Sequence, residues 1–261
     1  MKAIVLIPTL GISPWLHESL GSVTALHPQV VARVICPQSA STELEVRWPM
    51  VEVVPDQRSG LYAALNTGLG TLDDADLVTW LNDDDLLCSA GSRAALDIMA
   101  KERSIDVTYG EVGLIDSDGR SQGRLAVAKR VKDLPALLAR GVVPLAQPGT
   151  WLRGSLLRRL KGFDESFRLA GDLDLFSRAL KIGARFQFLP EMVACFRLRA
   201  GQLSKDEGTG DREKIRALSP WIGVPKPIGA LLRFRYDNST TYADRIRRHG
   251  FVSMRTLYRR Q

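Results

Sequence analysis

The sequence predicts an α/β fold: a mostly parallel, mixed central sheet flanked by helices and followed by a basic amphipathic C-terminal tail. Three observations predict it. Short apolar, β-branched runs alternate with amphipathic stretches through the N-terminal part of the chain. Those runs are continuous rather than alternating, as in strands covered on both faces. Positive charge is concentrated near the C-terminus.

The elements follow in order. Residues 2–8 read as a buried strand, 14–25 as a helix, 31–36 and 51–54 as strands, and 61–69 as a short helix. Residues 76–81 form a further strand and 90–101 a helix. Asp118-Gly119 has the chemistry of a hairpin turn. Residues 147–153 read as a strand, and 172–182 as a helix stopped by Gly183. Two strands, 186–189 and 192–197, flank Pro190, and the polar, Gly-rich 201–210 reads as a loop.

With 261 residues, 45% apolar and 25% charged, the chain can bury a substantial core, which excludes general disorder. The net charge of +7 is uneven. From Arg212 onward twelve Lys or Arg face three acids, so that stretch carries +9 and the rest is slightly acidic. Such a tail suits an anionic membrane surface or is a solvated basic face; it is too little to indicate nucleic-acid binding. Cys36, Cys88 and Cys195 are odd in number and far apart, which predicts buried thiols in a reducing compartment. His17, His27 and His249 have no zinc-ligand spacing. The apolar start ends at Pro8 and reads as a strand rather than a leader, and no run approaches the roughly 20 apolar residues of a membrane span. A cytoplasmic location, with peripheral contact at the inner face of the membrane, is expected.

The sharpest local signal is Trp80-Leu81-Asn82-Asp83-Asp84-Asp85. A buried strand delivers three carboxylates at its carboxyl end, where open α/β sheets place ligands. Adjacent like charges favour a cation between them, and Mg²⁺ or Mn²⁺ commonly takes one or two carboxylates and completes its shell with phosphate and water. Equally, one Asp caps the following helix and the others are solvated. A second acidic pair stands in Gly171-Asp172-Leu173-Asp174. There Asp172 is either a general base at a helix start or that helix's N-cap.

Four stretches, in order, resemble glycosyltransferase family 2, the inverting family with the GT-A fold. They are Ile7-Pro8-Thr9; Asp56 with Gly60-Leu61-Tyr62-Ala63-Ala64-Leu65-Asn66; Trp80 to Asp85; and Gln147-Pro148-Gly149-Thr150-Trp151 through Gly162-Phe163-Asp164-Glu165 and Asp172-Leu173-Asp174 to Phe196-Arg197. The resemblance spans residues 1–205, implying a nucleotide-sugar transferase domain there and a basic extension over 206–261. It implies transfer from a nucleotide diphosphate sugar to a glycan or lipid-linked acceptor, in polysaccharide or glycolipid synthesis. Asp172 would be the base and Asp85 a metal ligand, with Asp83 a second. Pro8, Thr9, Asp56, Asn66 and Asp84 would line the nucleotide sugar, and Gln147 and Arg197 would face phosphate or acceptor. The chain departs from the pattern at Cys36-Pro37-Gln38-Ser39-Ala40-Ser41 and at Ala63. Those departures favour the alternative, a non-catalytic nucleotide-sugar or partner-binding module on the same fold; Asp85 and Asp172 oppose it.

Overall fold

A computed structural model of the chain describes residues 2–57, 60–70, 72–74, 76–200, 202 and 207–251. Strand β1 (Ala3–Pro8) sends Ile4 and Leu6 into one apolar cluster and Val5 and Ile7 into another, on opposite faces of the sheet. Because both faces are covered, nearly every position of the strand is apolar. Helix α1 (Leu16–Thr24) returns the chain to β2 (Val30–Cys36), which pairs parallel with β1. A helix absent from the sequence reading, α2 (Gln38–Arg47), then precedes β3 (Glu52–Pro55). It buries only Ser41 and Leu44, so it has little apolar periodicity to betray it.

Helix α3 (Leu61–Leu69) carries the chain back across β1 to β4 (Leu77–Trp80), which pairs parallel on the other side of β1. The connections thus diverge on either side of β1, which makes the carboxyl ends of β1 and β4 a switch point where such sheets bind ligands. The two-residue β5 (Leu86–Leu87) and helix α4 (Ser89–Lys101) follow, then the hairpin of β6 (Val107–Ile115) and β7 (Ser121–Arg124) around Asp118-Gly119. Helix α5 (Leu134–Ala139) leads to β8 (Trp151–Arg153), whose Leu152 pairs antiparallel with both β4 and β6. Helices α6 (Gly154–Arg159) and α7 (Gly171–Lys181) complete the layer over the first face.

The final strand, β9 (Phe186–Arg197), is continuous, where two strands were expected. Pro190 cannot donate to a ladder, and the chain accommodates it in a bulge: Tyr109 faces Phe188, yet Glu111 faces Met192. Gly110 makes the room, since a Cβ there would stand 2.7 Å from Glu191 O. Among the described residues the strands form one sheet in the order β3-β2-β1-β4-β8-β6-β9-β5, with β7 on β6. The mixed sheet is as expected; its parallel part is β1 to β4 together with the β6–β9 pair.

The extension past residue 205 packs back on the domain. Helix α8 (Glu207–Leu218) begins within the stretch read as a loop, and α9 (Ile228–Asp237) and α10 (Ser239–His249) follow. Ala217, Trp221 and Phe234 join the same apolar cluster as α7, and Trp221 Nε1 donates to Ser177 Oγ at 2.8 Å. Arg233 pairs with Asp133, and the Asn238 amide donates to Val127 O at 2.9 Å. The basic tail beyond Phe251 lies outside the described residues. No helix of the described residues is long and apolar enough to cross a membrane. Cys36 is buried as expected, but Cys88 and Cys195 are half-buried, with Sγ atoms 4.0 Å apart across the β5–β9 pair.

Candidate functional site

The acidic turn begins where β4 leaves the sheet, Leu81 N donating to Leu6 O at 2.9 Å. Its three carboxylates have different surroundings. Asp85 is fully buried; Oδ1 accepts from Arg197 N at 2.8 Å and Oδ2 from Asn82 Nδ2 at 3.1 Å. Burial pushes its carboxyl well above the usual range, and the charge of Asp84 adds to the effect. Asp84 is also buried and pairs with the guanidinium of Arg199. Asp83 is half-buried, and its Oδ2 accepts from Thr9 Oγ1 at 2.6 Å. Its carboxyl is raised by burial, against the lowering effect of the Thr9 hydrogen bond.

Arg197 requires a correction. It was expected to face phosphate or acceptor, but it has no exposed surface. Nε donates to Asp84 O at 2.7 Å, Nη1 to Ser117 O at 3.1 Å, and Nη2 to Glu18 Oε2 at 2.7 Å. It is therefore an internal tie that holds the acidic turn to the β6–β7 hairpin and α1. Arg199, which the sequence reading passed over, is the cation that reaches an acidic side chain of the turn. Its signal was an Arg-x-Arg alternation, which at the end of a strand sends both side chains to one face.

Thr9, Asp56 and Asp83 all follow the carboxyl ends of parallel strands. Thr9 N donates to Ile35 O at 2.9 Å, and Asp56 N to Cys36 O at 2.8 Å. Asp56 Oδ1 accepts from Thr67 Oγ1 at 3.1 Å, and Pro8 is half-buried at the end of β1. Asn66 has a different setting from the one the resemblance implied. Its amide donates to Phe163 O at 2.9 Å and Glu165 Oε1 at 2.8 Å, and accepts from Phe163 N at 2.9 Å. The side chain clamps α3 to the loop before α7.

Asp172 stands in the first turn of α7 and is half-buried. Its Oδ1 accepts from Leu173 N at 2.8 Å, and its backbone N lies 3.4 Å from Tyr62 Oη. Burial pushes its carboxyl up to about 6 against the lowering effect of the helix N–H groups, and Glu213 adds to the rise. Tyr62 is wedged against Gly171, where a Cβ would stand 2.7 Å from the ring.

The two acidic stations share one aromatic wedge. Trp80, which ends β4 two residues before Asn82, stacks on Phe176 at 5.9 Å between centroids and meets Phe163 edge-on at 4.9 Å. Phe176 lies one turn after Asp172 on α7, and Phe163 stacks on Tyr62 at 5.6 Å. Gln147 Nε2 donates to Trp80 O at 2.7 Å and so helps fix the wedge. A hollow of about 290 Å³ lined by Arg159, Lys161, Arg178 and Lys181 lies at the other end of α7 and contains none of these residues.

The fold is similar to that of TarS. Residues 1–349 of TarS from S. aureus superpose with a TM-score of 0.63 at 17% identity, over 98% of this chain and 73% of that one. A longer TarS structure gives 0.62 at 16%, over 98% of this chain and 45% of its own. The mannosyltransferase PcManGT from Pyrobaculum calidifontis, in complex with GDP-Man and Mn²⁺, gives 0.56 at 15%, over 98% and 77%. No family model and no curated protein matches the chain.

Among the described residues no three carboxylate, Cys or His side chains converge as a metal cage. Asp83, the one carboxylate of the turn that keeps partial exposure, fits a less demanding site: a hard divalent cation takes one or two carboxylates and fills its shell from phosphate and water. Asp85, walled in with both oxygens engaged, is the anchor of the turn rather than its open face.

Proposed function

We propose that the chain is an inverting glycosyltransferase of the GT-A type, similar to family 2, that moves a sugar from a nucleotide diphosphate donor to an acceptor hydroxyl. The observation that carries this reading is the attachment of the acidic turn and Asp172 to one wedge, Trp80, at the carboxyl end of the parallel strands. The fold likeness to a mannosyltransferase bound to GDP-Man and Mn²⁺ supports it.

In this mechanism Pro8, Thr9 and Asp56 border the nucleotide at the ends of β1 and β3. Asp172, held near 6, is ionised at neutral pH yet basic enough to take the proton of an acceptor hydroxyl. The hydroxyl oxygen attacks the anomeric carbon opposite the diphosphate, and this single displacement inverts the centre. Mg²⁺ or Mn²⁺ held through Asp83 would offset the charge that develops on the leaving diphosphate, with Asp84 beside the donor. Asp85 and Arg197 keep that turn in shape from beneath. The acceptor would be a glycan or lipid-linked hydroxyl. An exposed stripe on α9, Ile228, Leu232 and Tyr236, supports peripheral contact with a membrane surface.

The test combines binding with turnover. Thermal shift with uridine, guanosine and thymidine diphosphates plus Mn²⁺ selects the base, and turnover of the matching nucleotide sugars follows. Asp172→Asn should lower turnover about 10²–10⁴-fold while the diphosphate shift survives. Wild-type turnover in that variant would remove Asp172 as the base.

A further inference from the structure

We infer that Glu213, on α8, is a positioning residue for Asp172: its carboxylate closes the entry to α7 and fixes the segment that presents the base. The inference rests on the reading of Asp172 as base. It also places part of the catalytic apparatus in the extension past residue 205, outside the stretch where the family resemblance was found.

The first N–H groups of a helix have no partners within it. At α7 the capping position is Ala170, whose side chain cannot supply one. The helix's own first-turn N–H groups are met nearby, Leu173 N by Asp172 Oδ1 and Asp172 N by Tyr62 Oη; Glu213, from 43 to 45 residues away in sequence, instead holds the three residues that lead into the helix. Its Oε1 accepts from Arg168 N at 2.8 Å, and its Oε2 from Leu169 N at 2.7 Å and Ala170 N at 2.9 Å. Three successive backbone N–H groups converging on one anion form a nest, and bonds to a charged acceptor are the stronger kind. The next backbone N–H groups lead straight to the base: Asp174 N donates to Ala170 O at 3.0 Å, and Asp172 N lies against Tyr62 Oη.

Helix α8 is itself held to α7. Arg216 lies over the Phe167 ring at 3.5 Å, Ala217 is buried, and Trp221 reaches Ser177. Glu213 is thus a fixed group on a rigid support. The same N–H groups hold its carboxyl below the usual range, so it stays ionised wherever Asp172 titrates. Its charge then opposes ionisation of Asp172. Other titratable and charged groups around this helix start include Tyr62 from α3, the Asp174–Arg178 pair on α7, Arg212, Lys214 and Arg216 on α8, and Asp164, Glu165 and Arg168 in the preceding loop. The signal for Glu213 in the sequence was faint: a single acid within Arg212-Glu213-Lys214-Ile215-Arg216.

The full-length protein, wild type, Glu213→Gln and Glu213→Ala, tests the inference by ¹³C carboxyl titration of labelled aspartate, with Asp172→Asn to assign the signal. Glu213→Gln keeps an acceptor oxygen and removes the charge. The Asp172 midpoint should fall toward the ordinary carboxylate value, and the acid limb of donor turnover should move down in pH with it. Glu213→Ala also leaves the three N–H groups without their acceptor, and kcat should drop roughly 10- to 100-fold as the base loses its alignment, with donor KM little changed. An Asp172 midpoint unmoved in Glu213→Gln, with only thermal stability reduced, would make Glu213 a simple structural cap. If Glu213→Ala does not fold, the Glu213→Gln titration alone decides. Because the titration needs no substrate, it stands apart from the base reading, which fails separately if Asp172→Asn keeps its turnover.

Discussion

Asp172→Asn should make the protein more stable at neutral pH while disabling it. An unfolded aspartate titrates near 4, whereas burial holds Asp172 up to about 6 in the fold. The folded state therefore binds this proton more tightly than the unfolded one, and ionising Asp172 costs stability. The full difference corresponds to roughly 3 kcal/mol at about 1.36 kcal/mol per pH unit. Asp172 is only half-buried, so cleft water screens part of this, leaving about 1–2 kcal/mol. Below about pH 4 both states hold the proton and the cost vanishes; it grows as pH rises toward 6 and is complete above that. Asn cannot ionise, and its amide oxygen can still accept from Leu173 N–H. At about 2–4 °C per kcal/mol for a chain of this size, the variant should melt roughly 2–8 °C higher near pH 7.5 and no higher near pH 4. Scanning calorimetry of both proteins at the two pH values measures this. A Tm difference that is equal at both, or a lower Tm for the variant near neutrality, would refute the claim that burial of the charge raises this carboxyl.

Three further outcomes follow. Arg197→Met strips hydrogen bonds from the carbonyl of the buried Asp84 and from the Asp116 and Ser117 carbonyls, removes the partner of the half-exposed Glu18, and should cost roughly 1–3 kcal/mol in urea denaturation. Gly110→Ala forces a Cβ to within 2.6 Å of Val193 Cγ1 in the β9 bulge and should destabilise by on the order of 3 kcal/mol, read from the same curves. Replacing Leu232 and Tyr236 with serine should weaken co-sedimentation with phosphatidylglycerol vesicles, and unchanged co-sedimentation would remove the membrane contact from the proposal.

The parallel part of the sheet was legible because its strands are buried on both faces. The runs at β1, β2 and β4 are almost wholly apolar. Helix α2 was not legible, since a polar surface helix shows no stripe, and β9 was read as two strands because Pro190 normally ends one. The acidic turn and Asp172 stood out because carboxylates beside a buried strand or a helix start are chemically conspicuous. Which way each carboxylate turns was not readable. The burial of Asp85 depends on Arg197 from 112 residues away, and the pairing of Asp84 on Arg199 from 115. Arginine at either position looks alike in a sequence, yet one is sealed inside and the other lies at the rim.

The grip of α8 on α7 has a consequence for how the molecule opens. Amides at 168–170 are bonded to a side chain of the C-terminal region rather than to the loop that contains them. Their exchange with solvent deuterium should therefore keep step with release of α8 and not with melting of the sheet. Shortening the chain at residue 205 would remove Glu213, Trp221 and Phe234 together, and the remaining fragment would fray first at the start of α7, beside Asp172.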